Sequence, residues 1–351
     1  MSRVNVLIVS KAGRYPGFLE EIAAVDPRVS VKHGVRQFVA ELREKGIKGE
    51  QVDRLEKQAG LVKGVEGDLD DLLGEAEVIF GGSLFPDNLA SRSPNLKWVH
   101  ILNVGIDRYR SMDFFDSNLI ITNSRGCSSI SIAEHVLAFM LMLAKDATRL
   151  VANKQKKQWE RFTTLELRDR TVGLIGLGGI GTEIARLAKG FGMKVIATRR
   201  SAVRLETDVS GVDELYPVKD LHKILRNSDF IVIAAPLTTE TRGMIGETEL
   251  RVMKPTAYLV NIARGAIVDE SALVRALKEG RIAGAGLDVF TTEPLSPESE
   301  LWELPNVTLS SHMAAASGRL PQRMVELCCE NLKRYLAGEE MINVIDREKS
   351  Y

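Results

Sequence analysis

The sequence predicts an α/β protein made of two Rossmann-like, doubly wound parallel-sheet domains with a cleft between them. Three observations predict it. The chain has 351 residues, enough for two domains at roughly 150 residues each. Short apolar runs alternate with helical patterns, the signature of βαβ units and a parallel sheet. That alternation runs from the N-terminus to about residue 145, lapses, and restarts at Asp169 beside a glycine-rich turn, as expected for a second sheet.

The elements follow in order. Val4 to Val9, Ala76 to Phe80, Leu96 to Leu102 and Leu119 to Thr122 are apolar enough to be buried strands of the first sheet. Between Arg36 and Gln58, Phe38, Val39, Leu42, Ile47, Val52 and Leu55 recur among charges. This spacing predicts an amphipathic helical segment, a surface elaboration that interrupts the βα rhythm. Ile130 to Ala144 is apolar almost all round and predicts a helix buried on most sides. Lys154 to Arg161 is polar and carries Trp159. The second sheet takes Thr171 to Ile175, Lys194 to Thr198, Phe230 to Ala235, Ala257 to Asn261, Ile282 to Leu287 and Val307 to Leu309, with a helix over Ile180 to Lys189. A last helix, Leu320 to Leu336, lines up Leu320, Met324, Leu327, Cys328 and Leu332. No tandem repeat or low-complexity tract is visible, and no appended regulatory domain is expected.

Composition narrows the function classes. Apolar residues make up 44% and charged residues 27%, ordinary values for a globular protein. Lys plus Arg and Asp plus Glu are 47 each, and a zero balance argues against a dedicated nucleic-acid binder. The longest uninterrupted apolar run, Val136 to Ala144, is far short of the about 20 residues a membrane span needs. Cys127, Cys328 and Cys329 show neither a disulfide pattern nor zinc-ligand spacing. The N-terminus does not read as a signal peptide. A cytoplasmic protein without a metal, a nucleic-acid partner or a membrane partner is expected.

Gly176-Leu-Gly178-Gly179-Ile180-Gly181 matches GxGxxG after a predicted strand and before a predicted helix. In that context the pattern is a dinucleotide loop. Gly176 allows the tight turn, Gly178 lets backbone approach a pyrophosphate, and Gly181 lets helix and strand pack closely. The helix N-terminus offers its N–H groups to the anion. A glycine-rich turn without a ligand is the bland alternative. At the end of the next strand an NAD site carries an acid for the ribose hydroxyl. Here Thr198-Arg199-Arg200-Ser201 stands there, with Arg204 nearby. Guanidinium forks suit a phosphate dianion, so NADP is expected over NAD, against the alternative of a solvated basic loop.

Three later segments place chemistry at predicted strand ends, where doubly wound sheets bind ligands. Asn261-Ile262-Ala263-Arg264-Gly offers a guanidinium. Gly286-Leu-Asp288-Val-Phe, continuing to Glu293-Pro294, offers two carboxylates. Ser-Ser-His312 offers an imidazole. Each residue alone is as easily structural. Among the five histidines, His33 and His100 fall in or near strands, His135 in the apolar helix and His222 in a polar helix, whereas His312 shares a topological position with Arg264 and Glu293.

With these motifs the sequence resembles the D-isomer-specific 2-hydroxyacid dehydrogenase family. Further matches are Pro236-Leu-Thr-Thr-Glu-Thr241-Arg-Gly, Leu304-Pro-Asn-Val, Asn103-Val104-Gly105-Ile-Asp107, Thr122-Asn-Ser-Arg-Gly126 and Ala133-Glu134-His. They run in order from about residue 75 to about 335, while the segment from 36 to 67 has no counterpart. The Arg199-Arg200 pair looks like the NADP-dependent glyoxylate and hydroxypyruvate reductase branch.

The resemblance implies a flavodoxin-like substrate domain over 1–128 plus 313–351 and a dinucleotide-binding domain over 129–312. It implies His312 as the acid that protonates the carbonyl oxygen, Glu293 as the group that orients the imidazole, and Arg264 as the residue that binds the substrate carboxylate. Backbone N–H groups around Val104 and Gly105 hold that carboxylate too. Asp288 contacts the nicotinamide carboxamide, and Pro236, Thr241, Ile262 and Ala263 line the cofactor. Loops near Ser83-Leu84-Phe85 and Trp302 select the substrate side chain. The helix at 130–147 lies in a homodimer interface, with an intramolecular core helix as the alternative. The expected enzyme transfers a hydride between NAD(P)H and a small 2-oxoacid or D-2-hydroxyacid. Two alternatives stay open: a dinucleotide-binding corepressor-like interaction protein, and an NAD-dependent dehydrogenase of a larger hydroxyacid.

Overall fold

The structure, a computed structural model, describes residues 3–10, 17–60, 65–209 and 211–347. The chain divides into two compact units, Met1–Cys127 with Gly318–Tyr351, and Ser128–Ser317.

The first unit holds five parallel strands: β1 (Val4–Ile8), β2 (Val29–His33), β3 (Val78–Gly81), β4 (Trp98–Ile101) and β5 (Ile120–Asn123). Their order is β2-β1-β3-β4-β5. Alternation sorts their side chains, since successive residues of a strand point to opposite faces. Val6 and Ile8 of β1 and Val78 and Phe80 of β3 join one core with Phe18, Ile22, Val325, Cys328 and Leu332. Leu7, Val9 and Ile79 join the other, with Phe38, Leu42 and Leu72. The helix Leu320–Ala337 thus covers the first face, which is why a C-terminal segment belongs to this unit.

The segment from Arg36 to Gln58 is helical, as expected, but corrects the sequence expectation in one respect. It forms two helices, Val35–Glu44 and Glu50–Ala59, separated where Gly46 and Gly49 adopt φ of 70° and 128°, conformations a helix interior does not contain. The correction is that it is not a surface elaboration: Phe38, Leu42, Val52 and Leu55 are buried in the core. The strand β2 before it was not anticipated, because Val29 and Val31 are only half-buried and alternate with Ser30 and Lys32. Residues 61–64 of the unmatched 36–67 segment lie outside the described residues.

The second unit holds β6 (Thr171–Ile175), β7 (Lys194–Thr198), β8 (Glu206–Val209), β9 (Val212–Tyr216), β10 (Phe230–Ile233), β11 (Tyr258–Asn261), β12 (Gly284–Leu287) and β13 (Val307–Leu309). The order is β13-β12-β11-β10-β6-β7-β9-β8, parallel except for the β8–β9 pair. The chain moves outward from β6 through β7 and then restarts on the other side at β10. The ends of β6 and β10 therefore form the topological switch point, where such sheets bind ligands. The β8–β9 hairpin was not anticipated. It closes the edge and carries Glu206, Asp208, Asp213 and Glu214, charges that suit an exposed edge and hide it from a hydrophobic pattern search.

The apolar helix Ser129–Ala144 is part of this unit's core. A Cβ on Gly286 of β12 would come within 2.9 Å of the Phe139 ring, so the missing side chain lets the helix lie on the sheet. The second unit keeps Met313 to Ser317, whereas the sequence expectation ended it at His312. The physical reason is that Met313 and Ala314 donate their N–H groups to Asp288 at 2.8 and 2.9 Å. No helix among the described residues is long and apolar enough to cross a membrane.

Two buried histidines of the first unit contribute to its acid sensitivity. His33 is buried, and the backbone of Ser10 is the polar group that acts against that burial. Burial pushes its pKa from 6.5 down to about 4. His100 lies against the Thr122 and Ser124 hydroxyls, and burial lowers it to about 3. Below pH 6.5 the unfolded chain binds protons at these rings that the folded unit does not. Stability is therefore lost as pH falls from about 6.5 towards 4. Denaturant titrations across this range should show that loss, with a shallower slope for His33→Leu. An identical slope in the variant would contradict the assignment to His33.

Candidate active site

The glycine loop follows β6 directly. Gly176 has φ of 102°, and a Cβ there would meet the Ala235 nitrogen at 2.8 Å. A Cβ on Gly181 would meet the Gly176 carbonyl oxygen at 2.4 Å. Both are held to glycine by backbone contacts that join the loop to β10 and to its own helix. Gly178 differs, because nothing lies within 4 Å of its Cβ position. It caps the helix Gly179–Gly190 and faces open space. That is the arrangement a pyrophosphate needs: backbone on one side, room on the other, and the N–H groups of Gly179 and Ile180 in the first helical turn. The residues present therefore fit a dinucleotide.

The end of β7 borders this loop, since the Gly176 N–H donates to the Thr198 carbonyl at 3.2 Å. Thr198 is buried, and Arg199 donates its N–H to Tyr216 of β9. The Arg199 Nε is buried and has no hydrogen-bond partner among the described residues, a donor that an anionic ligand would satisfy. Arg200 and Ser201 are exposed beside it. Glu240 has its carboxyl pKa lowered by the Thr238 hydroxyl, with a smaller contribution from the Arg200 charge. Arg200 is thus near the loop that follows β10. In that loop the Thr241 hydroxyl donates to the Pro236 carbonyl at 2.7 Å and accepts from the Thr238 N–H at 2.8 Å, so Thr241 braces the turn.

The other strand ends carry the titratable groups. In β11 the Asn261 side chain caps its own loop, accepting from Ala263 at 3.1 Å and donating to the Arg264 carbonyl at 3.0 Å. Ile262 is buried, and the Arg264 Nη1 donates to the Ala263 carbonyl at 2.7 Å. A Cβ on Gly265 would fall 1.9 Å from the carbonyl carbon of Phe290. Backbone touches backbone there, which brings the Arg264 loop against the loop that carries Glu293. In that loop Glu293 accepts from the Phe290 N–H at 3.1 Å through one oxygen and meets the His312 Nδ1 at 2.7 Å through the other. Their side chains are 35% and 46% exposed, so the pair is open to a ligand.

His312 has φ of 52°, an unfavourable region for a residue with a side chain. Its N–H donates to the Asp288 carbonyl at 2.8 Å. The Asp288 carboxylate, 1% exposed, accepts from the Met313 and Ala314 N–H groups and the Ser310 hydroxyl. The hydrogen bonds of Asp288 thus go to the turn that presents the imidazole.

The second unit therefore joins His312 to Glu293 and packs the Arg264 loop beside them. Val104 and Gly105 belong to the first unit, in the loop after β4, where Asn123 donates to the Val104 carbonyl at 2.8 Å. Ser310, Ser131 and His135 were missed by sequence reasoning. Ser131 and His135 are separated by one helical turn in an apolar run, and that spacing was the available signal.

A family model described as D-isomer specific 2-hydroxyacid dehydrogenase, NAD binding domain, matches residues 137–314. A glyoxylate reductase of Korarchaeum cryptofilum is 40% identical over 265 residues, 73% of this chain and 78% of its own. One of Thermococcus gammatolerans is 37% identical over 290 residues, 80% of this chain and 84% of its own. Among solved structures, a D-isomer specific 2-hydroxyacid dehydrogenase from Xanthobacter autotrophicus Py2, in complex with NADPH and MES, superposes with a TM-score of 0.78 and 27% identity over 100% of both chains. An NADPH-dependent glyoxylate/hydroxypyruvate reductase from Sinorhizobium meliloti, in complex with NADP and sulfate, gives 0.77 and 25% over 99% of this chain and 100% of the other. With a glycine loop at the switch point, a His–Glu pair at neighbouring strand ends and relatives of this identity and coverage, the chain belongs to the D-isomer specific 2-hydroxyacid dehydrogenase family.

Proposed function

We propose that the protein reduces small 2-oxoacids, with glyoxylate and hydroxypyruvate as the leading substrates, and prefers NADPH. The observation that carries this reading is the 2.7 Å contact between the His312 Nδ1 and Glu293, beside the Arg264 loop, on the sheet that carries the glycine loop. Relatives named glyoxylate reductase support it.

A bound reduced nicotinamide would supply the hydride. The chain's own residues manage the proton and the charge. Glu293 occupies Nδ1, so Nε2 is the ring nitrogen assigned to protonate the carbonyl oxygen as the carbon is reduced, and to take the proton back in the reverse direction. The Arg264 guanidinium is assigned to the substrate carboxylate, which it can bind with a planar fork, and to polarising the carbonyl. The Val104 and Gly105 backbone is assigned to the same carboxylate. Gly176, Gly178, Gly179, Ile180 and Gly181 would hold the pyrophosphate. Pro236, Thr241, Ile262, Ala263 and Asp288 would border the rest of the cofactor.

Arg199, Arg200, Thr198 and Ser201 are assigned to the ribose 2′-phosphate. The unpartnered Arg199 Nε and the NADPH and NADP complexes of two structural neighbours support this preference. The double variant Arg199→Ala/Arg200→Ala should raise the Kd for NADPH by about tenfold or more, the scale of one charge-assisted hydrogen bond lost. NADH binding should change little. Equal losses for both cofactors in a titration would contradict the assignment.

A homodimer and a cytoplasmic location complete the proposal. The helix Ala147–Lys156 has no buried residue, yet Leu150, Val151 and, just beyond it, Trp159 at 93% are exposed, as are Ile130 and Met142 of the preceding helix. A second copy of the chain would cover these apolar groups. Light scattering should give twice the chain mass, and a monomer at micromolar concentration would count against it. Cys127, Cys328 and Cys329 are all free thiols, in keeping with a reducing compartment.

The direct test mixes the protein with NADPH or NADH and a panel of 2-oxoacids and follows cofactor absorbance. Turnover should be fastest with NADPH and the smallest oxoacids. No turnover with any member of the panel would overturn the proposal.

A further inference from the structure

Behind the turn that presents His312 is a polar chain that links the Ala133-Glu134-His match to Asp288, and in it the proposed mechanism gives His135 and Ser310 no role. It begins on the helix Ser129–Ala144, otherwise the most apolar helix of the second unit. The His135 Nε2 lies 2.9 Å from the Ser310 hydroxyl, and that hydroxyl donates to the Asp288 carboxylate. His135 itself is 3.9 Å from the Asp288 oxygen, too far for a direct hydrogen bond, so Ser310 is the link. Its ring is set by Phe139, edge to face with centroids 4.6 Å apart. One turn earlier on the same helix, the Ser131 hydroxyl shares its proton between the Ser128 carbonyl at 3.0 Å and the Ala315 carbonyl at 3.2 Å. The helix thus meets both ends of the stretch from Ser310 to Ala315, with His312 between, and its firmer hold is at Ser310.

Proton bookkeeping orients the chain. Ser310 has one hydroxyl proton and gives it to Asp288. Towards His135 it can only accept, so Nε2 must carry a proton. A neutral His135 is then confined to the Nε2–H tautomer. The other end of the chain is the Asp288 carboxylate, whose remaining bonds hold the backbone of Met313 and Ala314. Those bonds keep His312 at a positive φ that its side chain disfavours.

From this geometry we infer that His135, acting through Ser310 and Asp288, is a positioning residue for the His312 imidazole. It touches no reacting atom. Its function is to fix which way Asp288 faces, and so to keep the turn in the conformation that delivers Nδ1 to Glu293. The inference rests on the reductase reading for its catalytic consequence, but not for the hydrogen-bond chain itself.

The experiment has two arms. In the first, 15N NMR of histidine-labelled protein without cofactor reads the tautomer of His135, assigned by comparison with His135→Gln. The expected pattern is a protonated Nε2, altered in Ser310→Ala. A bare Nε2 would overturn the chain. In the second arm, steady-state kinetics with NADPH and the best 2-oxoacid compare His135→Leu, His135→Gln and Ser310→Ala. Losing one hydrogen bond to a charge-linked network should lower kcat by roughly tenfold in His135→Leu and Ser310→Ala, with KM for the oxoacid changed less than about twofold. His135→Gln keeps an N–H donor at the same reach and should recover most of kcat. Wild-type kcat in His135→Leu, or equal losses in the Leu and Gln variants, would reduce His135 to a packing role and overturn the inference. Should His135→Leu fail to fold, Ser310→Ala decides, and an unchanged kcat there overturns the inference. If the wild-type protein turns over no 2-oxoacid, the reductase reading fails, and the hydrogen-bond chain is judged on the tautomer alone.

Discussion

The buried carboxylate of Asp288 is the constraint on which the candidate site depends. It closes β12, is almost fully shielded from water, and places its acceptor oxygens against Ser310, Met313 and Ala314. A buried carboxylate is costly unless its lone pairs are satisfied. Here they are satisfied by the segment leaving β13, and the return for that cost is a fixed turn at His312. Without those bonds a histidine at φ of 52° would relax to a commoner conformation and take its imidazole away from Glu293.

Distant pieces of sequence converge because of strand order. Asn261, Leu287 and Leu309 stand in register on three neighbouring parallel strands. Parallel connections return each strand to the same edge, so Arg264, Asp288 and His312 leave the sheet side by side. Gly265 then removes the last obstacle, letting the Arg264 loop touch the backbone at Phe290. On the same sheet, β6 and β10 lie side by side and the connections that leave them run to opposite sides, so the glycine loop sits at the switch point with Gly178 facing space. One edge thereby carries both a place for a phosphate-bearing cofactor and a place for proton transfer, which is what a hydride-transferring enzyme must bring together.

Much of this was legible in the sequence, for identifiable reasons. The glycine spacing is dictated by backbone contacts that no side chain can satisfy, so it stands out without any structure. Fully buried strands such as Val172 to Ile175 and Phe230 to Ile233 read as continuous apolar runs. What escaped was polar or composite. The β8–β9 hairpin carries the charges of an edge. β2 is half-buried and mixes Ser30 and Lys32 with its valines. The pair of helices after it reads as a helical segment whose break is not visible, because the break is conformational, at Gly46 and Gly49. His135 escaped because a histidine in a run such as Ala133 to Ala144 looks like filler, and only the fold shows that its ring points at Ser310. The partners of Asp288 also required the structure, since a short acidic motif does not reveal which backbone amides it will receive.

The most direct measurement of the central claim, that His312 and Glu293 act as one unit on the transferred proton, is a double-mutant cycle on kcat. It compares His312→Asn, Glu293→Ala and the pair, with NADPH and a 2-oxoacid. Residues that work as a unit are strongly non-additive. The account predicts that the double variant is slower than His312→Asn by no more than about twofold, because Glu293 has nothing to orient once the imidazole is gone. Losses that multiply would contradict it, since they would mean that the carboxylate and the imidazole contribute independently.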